Sequence, residues 1–227
     1  MNALLIVGTD TDAGKTVLTS ALLAYWRKYS KTRTLGVMKP IQSGVGDREL
    51  YHQLFSFDPQ EVNALWFAAP LAPPLAAQQE GQRVELDKAW RAFEEVRRRY
   101  DWVLVEALGG LGSPVTYETT VADLAWDWRL PAVLVVPVKL GAIGQAVANV
   151  ALAKLSRVHL KGIVLNCVQD CSEAEVNNWA PADLLQSLTG VPVLGLIPHL
   201  PDPTDLDKLA QVASNLDLER FLPTDWG

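Results

Sequence analysis

The apolar run Ala3-Leu4-Leu5-Ile6-Val7 leads straight into Gly8-Thr9-Asp10-Thr11-Asp12-Ala13-Gly14-Lys15-Thr16, and a helical run from Lys15 to Trp26 follows. A strand, a glycine-bearing loop ending in Gly-Lys-Thr, and a helix are the parts of a phosphate loop. The chemistry is local. Successive backbone N–H groups and a helix N-terminus face phosphate oxygens. Gly14 lets the backbone come close, Lys15 brings a cation to the β- and γ-phosphates, and Thr16 offers a hydroxyl to Mg²⁺. The loop departs from the usual frame. Five residues, not four, separate Gly8 from Gly14, so Thr9 stands where the first glycine belongs.

Outward from this loop, short apolar runs alternate with helical ones. Strands are expected at Ala3–Val7, Arg33–Met38, Trp102–Glu106, Ala132–Val138, Lys161–Leu165 and Pro192–Leu196. Several are apolar throughout, as strands buried on both faces are. Helices are expected at Lys15–Trp26, around Leu86 to Val96, at Gly141–Arg157 and at Ala182–Leu188. The pattern predicts an α/β fold with a mostly parallel sheet covered by helices on both faces. Ala68 to Ala77 reads AAPLAPPLAA, which predicts an ordered loop rather than a helix. The C-terminal tail, with Pro201, Pro203 and Pro223, is expected to run along the surface. Residues 1–227 read as one domain.

Composition narrows the function. The 227 residues are 49% hydrophobic and 20% charged, which excludes a disordered or coiled-coil chain. Net charge is −6, which argues against duplex nucleic acid as the main ligand. Two cysteines, Cys167 and Cys171, and three histidines make neither a disulfide scaffold nor a zinc site. The first residues lack a charged signal region, and no apolar stretch suits a bilayer, so a soluble cytoplasmic protein is expected.

Parallel strands gather the loops at their carboxyl ends into one ligand crevice. Lys39, in Met38-Lys39-Pro40-Ile41-Gln42-Ser43-Gly44, follows the second strand and so shares an edge with Lys15. A lysine there suits charge on a transferring phosphoryl group. Asp47 opens the next helical run, and Glu106 closes the strand Val103–Glu106. Both carboxylates are candidates, with Thr16, for a Mg²⁺ shell. Gly109, Gly110 and Gly112 read as a flexible turn with free N–H groups.

Taken together, these motifs resemble the dethiobiotin synthetase family along nearly the whole chain and in the same order. GTDTDAGKT resembles its phosphate loop, extra residue included. KPIQSG resembles KPxxSG, AAPLAPPLAA its proline-rich substrate loop, and VEALGG its VEGAGG. VKLGAIGQ, Asn166-Cys167 and Ile197-Pro198-His199-Leu200 fall where the family has later elements. The resemblance implies a seven-stranded parallel sheet of the P-loop NTPase type and a homodimer. It implies ATP, 7,8-diaminononanoate and CO₂ or bicarbonate as partners, with Mg²⁺ as cofactor. A carbamate would be phosphorylated and closed to dethiobiotin, ADP and phosphate, with Lys15 and Lys39 as catalytic cations. Ser43 would hold the substrate's amine or carbamate end. Nucleotide contacts would come from Thr11, Asp12, Ala13, Gly14, Lys15, Thr16, Val17, Asp47, Glu106, Ala107, Leu108 and Gly109. Asn166 would read the adenine edge, with Cys167, Pro198, His199 and Leu200 around the base. Ala107-Leu108 replaces the family's Gly-Ala, Pro74 stands where many members have histidine, and Gly144 where some have asparagine.

Two rival readings share the loop. Cobyrinic-acid synthetases carry a long amidotransferase extension for which the chain has no room. MinD/ParA ATPases usually carry a second lysine inside the loop, where Asp10 or Thr11 stands here, and the tail Leu216 to Gly227 is acidic rather than basic. Neither gives KPIQSG or AAPLAPPLAA a task.

Overall fold

The computed structural model describes residues 2–223; residues 224–227, the end of the tail discussed above, lie outside them. In chain order the elements are β1 (Ala3–Gly8), α1 (Lys15–Tyr29), β2 (Leu35–Met38), β3 (Ile41–Ser43) and α2 (Asp47–Phe55). Next come α3 (Pro59–Val62), β4 (Leu65–Phe67), α4 (Pro73–Gln79), α5 (Leu86–Arg99) and β5 (Trp102–Gly110). Then follow α6 (Val121–Asp127), β6 (Ala132–Pro137), α7 (Ala142–Leu155), β7 (Leu160–Asn166) and α8 (Glu173–Trp179). The chain closes with α9 (Ala182–Thr189), β8 (Val193–Ile197), α10 (Leu206–Ser214) and a 3-10 turn at Leu218–Arg220.

The main sheet has six parallel strands in the order β2-β5-β1-β6-β7-β8, one fewer than the family resemblance implies. The six apolar runs read from the sequence supply all six. A separate parallel pair joins β3, in the KPIQSG stretch read as loop, to β4, just before the proline-rich stretch. β1 and β6 are buried at every position, so neither shows the in-out alternation of a half-solvated strand. Instead the alternation sorts two cores. Ala3, Leu5 and Val7 join the core that holds Phe93 of α5, Val121 of α6 and Val150 of α7. Leu4 and Ile6 join the core under α1, α2 and α10, with Leu18, Tyr51 and Leu209. Along β5, Val103, Val105 and Ala107 face the first core and Leu104 the second, so Glu106 points toward α1 and α2.

Three readings need correction. β5 runs on past Glu106 through Gly110, so Gly109 and Gly110 are strand rather than turn. Ile6 pairs with Glu106 but Gly8 with Gly110, so the extra residues bulge beside the phosphate loop. Gly110 fits because a Cβ there would meet Thr9 O at 2.9 Å. The proline-rich stretch ends in a helix, not a loop. Pro73 and Pro74 occupy the first turn of α4, where the missing N–H groups have no helical partner to lose. The tail does not simply trail along the surface. Asp205 caps α10 by accepting from Asp207 N and Lys208 N, each at 3.1 Å. Leu209, Ala210, Val212 and Ala213 then bury a stripe in the second core. Among the described residues no helix is long and apolar enough to cross a membrane.

The packing of α10 gives a stability test. Leu209 is fully buried, and Leu209→Ala should cost about 2–5 kcal/mol, read as a lower urea midpoint. Nucleotide binding by the folded variant should be unchanged.

Candidate active site

The phosphate loop, KPIQSG, the start of α2 and the Pro70–Pro73 wall enclose a cleft of about 730 Å³. Thr11, Asp12, Gly14, Lys15, Thr16 and Val17 line one side. Lys39, Gln42, Ser43 and Asp47 line the floor, and Leu108, Ser113 and Pro114 come in from the end of β5. The strand ends deliver these residues to one sheet edge, as the parallel arrangement requires.

At the centre, charges from three elements meet. Glu106 has no solvent exposure. Lys39 Nζ donates to Glu106 Oε1 at 3.0 Å and also to Asp47 Oδ2. Burial alone would lower the Lys39 ammonium, but the Glu106 and Asp47 carboxylates outweigh it, and the group is held above the usual lysine range. Lys15 differs. Burial, with Lys39 nearby, lowers it from the usual lysine range despite an opposing pull from Glu106. Lys15 Nζ turns back onto its own loop, donating to Asp10 O at 3.0 Å and Thr11 O at 2.8 Å.

Thr16 Oγ1 lies 2.9 Å from Asp47 Oδ1 and 3.1 Å from Glu106 Oε1. A hydroxyl has one proton, so it cannot donate fully to both oxygens. Three hard oxygen donors thus converge where one proton serves two contacts. That donor set suits a hard divalent cation such as Mg²⁺, which keeps waters and phosphate oxygens in its other positions. Ser43 Oγ, Thr9 Oγ1 and Asp10 Oδ1 are buried without a hydrogen-bond partner. Of these residues, Ser43 is the one that lines the cleft.

Gly14 is fixed by backbone and by a neighbour. Its φ of 94° is left-handed, and a Cβ would run into the Asn166 amide. Asn166 is buried at the end of β7, and its Nδ2 donates to Ala13 O at 3.1 Å. The residue expected at the adenine edge therefore braces the loop from beneath. Cys167 N donates to Ile197 O at 2.9 Å, tying β7 to β8. Its thiol is pushed up to about 12 by burial and then by Cys171, leaving an inert group. Pro198 is exposed, His199 and Leu200 are half-buried, and none of these three nor Asn166 and Cys167 lines the cleft. Ala107 is buried in the first core, and Gly109 packs near Ser113 and Thr11.

Sequence reasoning missed several members of the site. Tyr51 donates its hydroxyl to Glu106 Oε2. Lys139 Nζ meets Asp10 Oδ2 at 2.8 Å and so holds the phosphate loop from the end of β6. Gln42 is buried on the cleft floor. Lys139 carried a readable signal, since like Lys39 it follows the carboxyl end of a parallel strand; Tyr51, one helix turn after Asp47, carried none beyond that of a core aromatic.

A family model described as an AAA domain matches residues 2–206. ATP-dependent dethiobiotin synthetase BioD of Gloeothece citriformis (strain PCC 7424) is 57% identical, covering 98% of this chain and all of that one. The chain belongs to the dethiobiotin synthetase family. Relatives of the same name from Crocosphaera subtropica (strain ATCC 51142 / BH68) and Bacillus subtilis (strain 168) are 53% and 29% identical, covering 96% and 98% of this chain and 99% and 98% of their own. Among solved structures, the MinD cell division protein of Aquifex aeolicus superposes with a TM-score of 0.58 at 16% identity, covering 97% of this chain and 95% of that one. A ParA family ATPase from Chlorobium tepidum TLS gives 0.55 at 14% identity, covering 96% and 92%. Those two likenesses show the fold alone, a P-loop ATPase sheet. Like its family, the chain is an enzyme with a P-loop site.

One substitution tests the loop. Gly14→Ala should abolish nucleotide binding in a calorimetric titration, because both the left-handed φ and the Asn166 amide oppose a side chain.

Proposed function

We propose that this cleft closes the ureido ring of dethiobiotin in biotin biosynthesis, using ATP, 7,8-diaminononanoate and CO₂. What supports this reading most is the meeting of Lys15, Thr16, Lys39 and Asp47 in a cleft whose other wall is Pro70–Pro73, with the buried Glu106 carboxylate held against Thr16 and Lys39 just beneath it. The charged half suits phosphoryl transfer and the apolar half suits an alkyl chain. In the reaction, the 7-amino group takes up CO₂ as a carbamate and loses a proton. A carbamate oxygen attacks the γ-phosphorus and ADP leaves, giving a carbamic-phosphoric anhydride. The 8-amino nitrogen then attacks the carbamoyl carbon and gives up a proton as phosphate departs, and the ring is closed.

Each residue has a task in that sequence. Lys15 turns from its loop carbonyls to the β- and γ-phosphates, and the backbone from Thr11 to Val17 cradles them. Lys39 faces charge that builds between carbamate and γ-phosphate. The Ser43 hydroxyl holds the amine or carbamate end. Thr16, Asp47 and Glu106 would hold Mg²⁺, which offsets phosphate charge when bound. Ala107, Leu108 and Gly109 border the phosphates. Asn166, with Nδ2 spent on Ala13, keeps its side-chain oxygen for the adenine amino group, and Cys167 and Pro198 to Leu200 flank the base through their backbone.

We read residues 1–227 as one domain, acting in the cytoplasm as a homodimer. The dimer reading rests on apolar side chains at the start and along one side of α7. Leu140 and Leu155 are more than four-fifths exposed and Val147 about a third. Sedimentation velocity should give twice the chain mass, and Leu155→Glu should lower it; a wild-type monomer would remove this reading.

The reaction is tested by mixing the protein with ATP, Mg²⁺, bicarbonate and 7,8-diaminononanoate and weighing the product. Dethiobiotin should form only with all four present. Lys39→Ala should lower its formation about 10²–10³-fold, the usual effect of one transition-state donor. Lys39→Arg should rescue little, because a planar fork does not replace a compact ammonium between two carboxylates.

A further inference from the structure

Glu106 is fully buried, and its two oxygens have different surroundings. Oε1 faces the cleft side, with Thr16 Oγ1 at 3.1 Å and Lys39 Nζ at 3.0 Å. Oε2 faces α2, where the Tyr51 hydroxyl donates to it. Tyr51 is itself fully buried and packs in the core beneath α1. Without that donor, Oε2 would be a charged oxygen with no partner in a dry site. The carboxylate would then be free to turn about its last torsion and take both oxygens toward the cations.

We infer that Tyr51 is a positioning residue: it pins Glu106 Oε2 so that Oε1 alone is presented beside Thr16 and Asp47 to the divalent cation. This rests on the metal role proposed above. It extends that role into the helix interior. Asp47 and Tyr51 sit four residues apart on α2, so one helix supplies a carboxylate to the site and a clamp for its partner carboxylate. The tyrosine touches neither phosphate nor substrate, and acts only through Glu106.

The test reads metal affinity rather than turnover. Mn²⁺ is titrated by electron paramagnetic resonance into protein saturated with ADP. Tyr51→Phe, which keeps the ring and its packing, should weaken Mn²⁺ binding about tenfold, the low end for loss of a ligand's hydrogen-bond partner. ADP binding measured without metal should match wild type. On a Glu106→Gln background, Tyr51→Phe should bring no further loss, because the two side chains act as one unit. Wild-type Mn²⁺ affinity in Tyr51→Phe, or an equal loss on both backgrounds, overturns the inference. Tyr51→Met, a smaller and flexible side chain without the hydroxyl, gives the same comparison if the phenylalanine variant does not fold. Absence of dethiobiotin from the wild-type assay would instead overturn the proposed reaction, and the Mn²⁺ titration would still decide Tyr51.

Discussion

A carboxylate with no access to water governs this molecule. Glu106 lies inside the sheet's second face, where an uncompensated charge would cost several kcal/mol. Everything around it answers that cost. The Lys39 ammonium supplies the opposite charge, the Tyr51 hydroxyl supplies a donor from α2, and Thr16 supplies another from α1. Asp47 then balances Lys39 from the other side. These residues come from β5, the end of β2, α1 and α2, so the polar cluster also clamps those elements together. Removing one member leaves the others wrongly charged or unpaired, which makes the cluster a unit.

How far the sequence could be read follows from which forces are local. The six main strands were legible because short apolar runs mark them, several apolar throughout where the strand is buried on both faces. Lys15, Thr16, Lys39, Asp47 and Glu106 were legible because parallel strands deliver their C-terminal ends to one edge. The continuation of β5 through Ala107 to Gly110 was not, since its pairing with β1 is a long-range event and its glycines read as turn. Two prolines hid α4, although the first turn is where a helix accepts them. Prolines near Asp205 likewise hid a helix whose cap and apolar stripe were in plain view. Tyr51 reads as an ordinary core aromatic until its hydroxyl is followed to Glu106. The hold of Asn166 on Ala13 spans most of the chain and has no local signature.

The two faces of the sheet carry different burdens. The first core, under α5, α6 and α7, is built from side chains that need only volume and shape. The second, under α1, α2 and α10, must pack around the buried charges as well. Strand alternation assigns Glu106 to that second face. A shift of β5 by one residue would send the carboxylate into the apolar core and leave Lys39 facing a hydrocarbon. The geometry of the buried polar cluster is therefore protected by the same register that folds the sheet.

The paired prolines at the head of α4 have a consequence for how an anion settles in the cleft. Most helix N-termini offer a fan of N–H groups to negative charge. Here the end of a helix that borders the cleft begins with two residues that have no N–H to give. That wall cannot compete with the phosphate loop for an anion. Polarity across the cleft is set as much by donors withheld on one side as by donors gathered on the other.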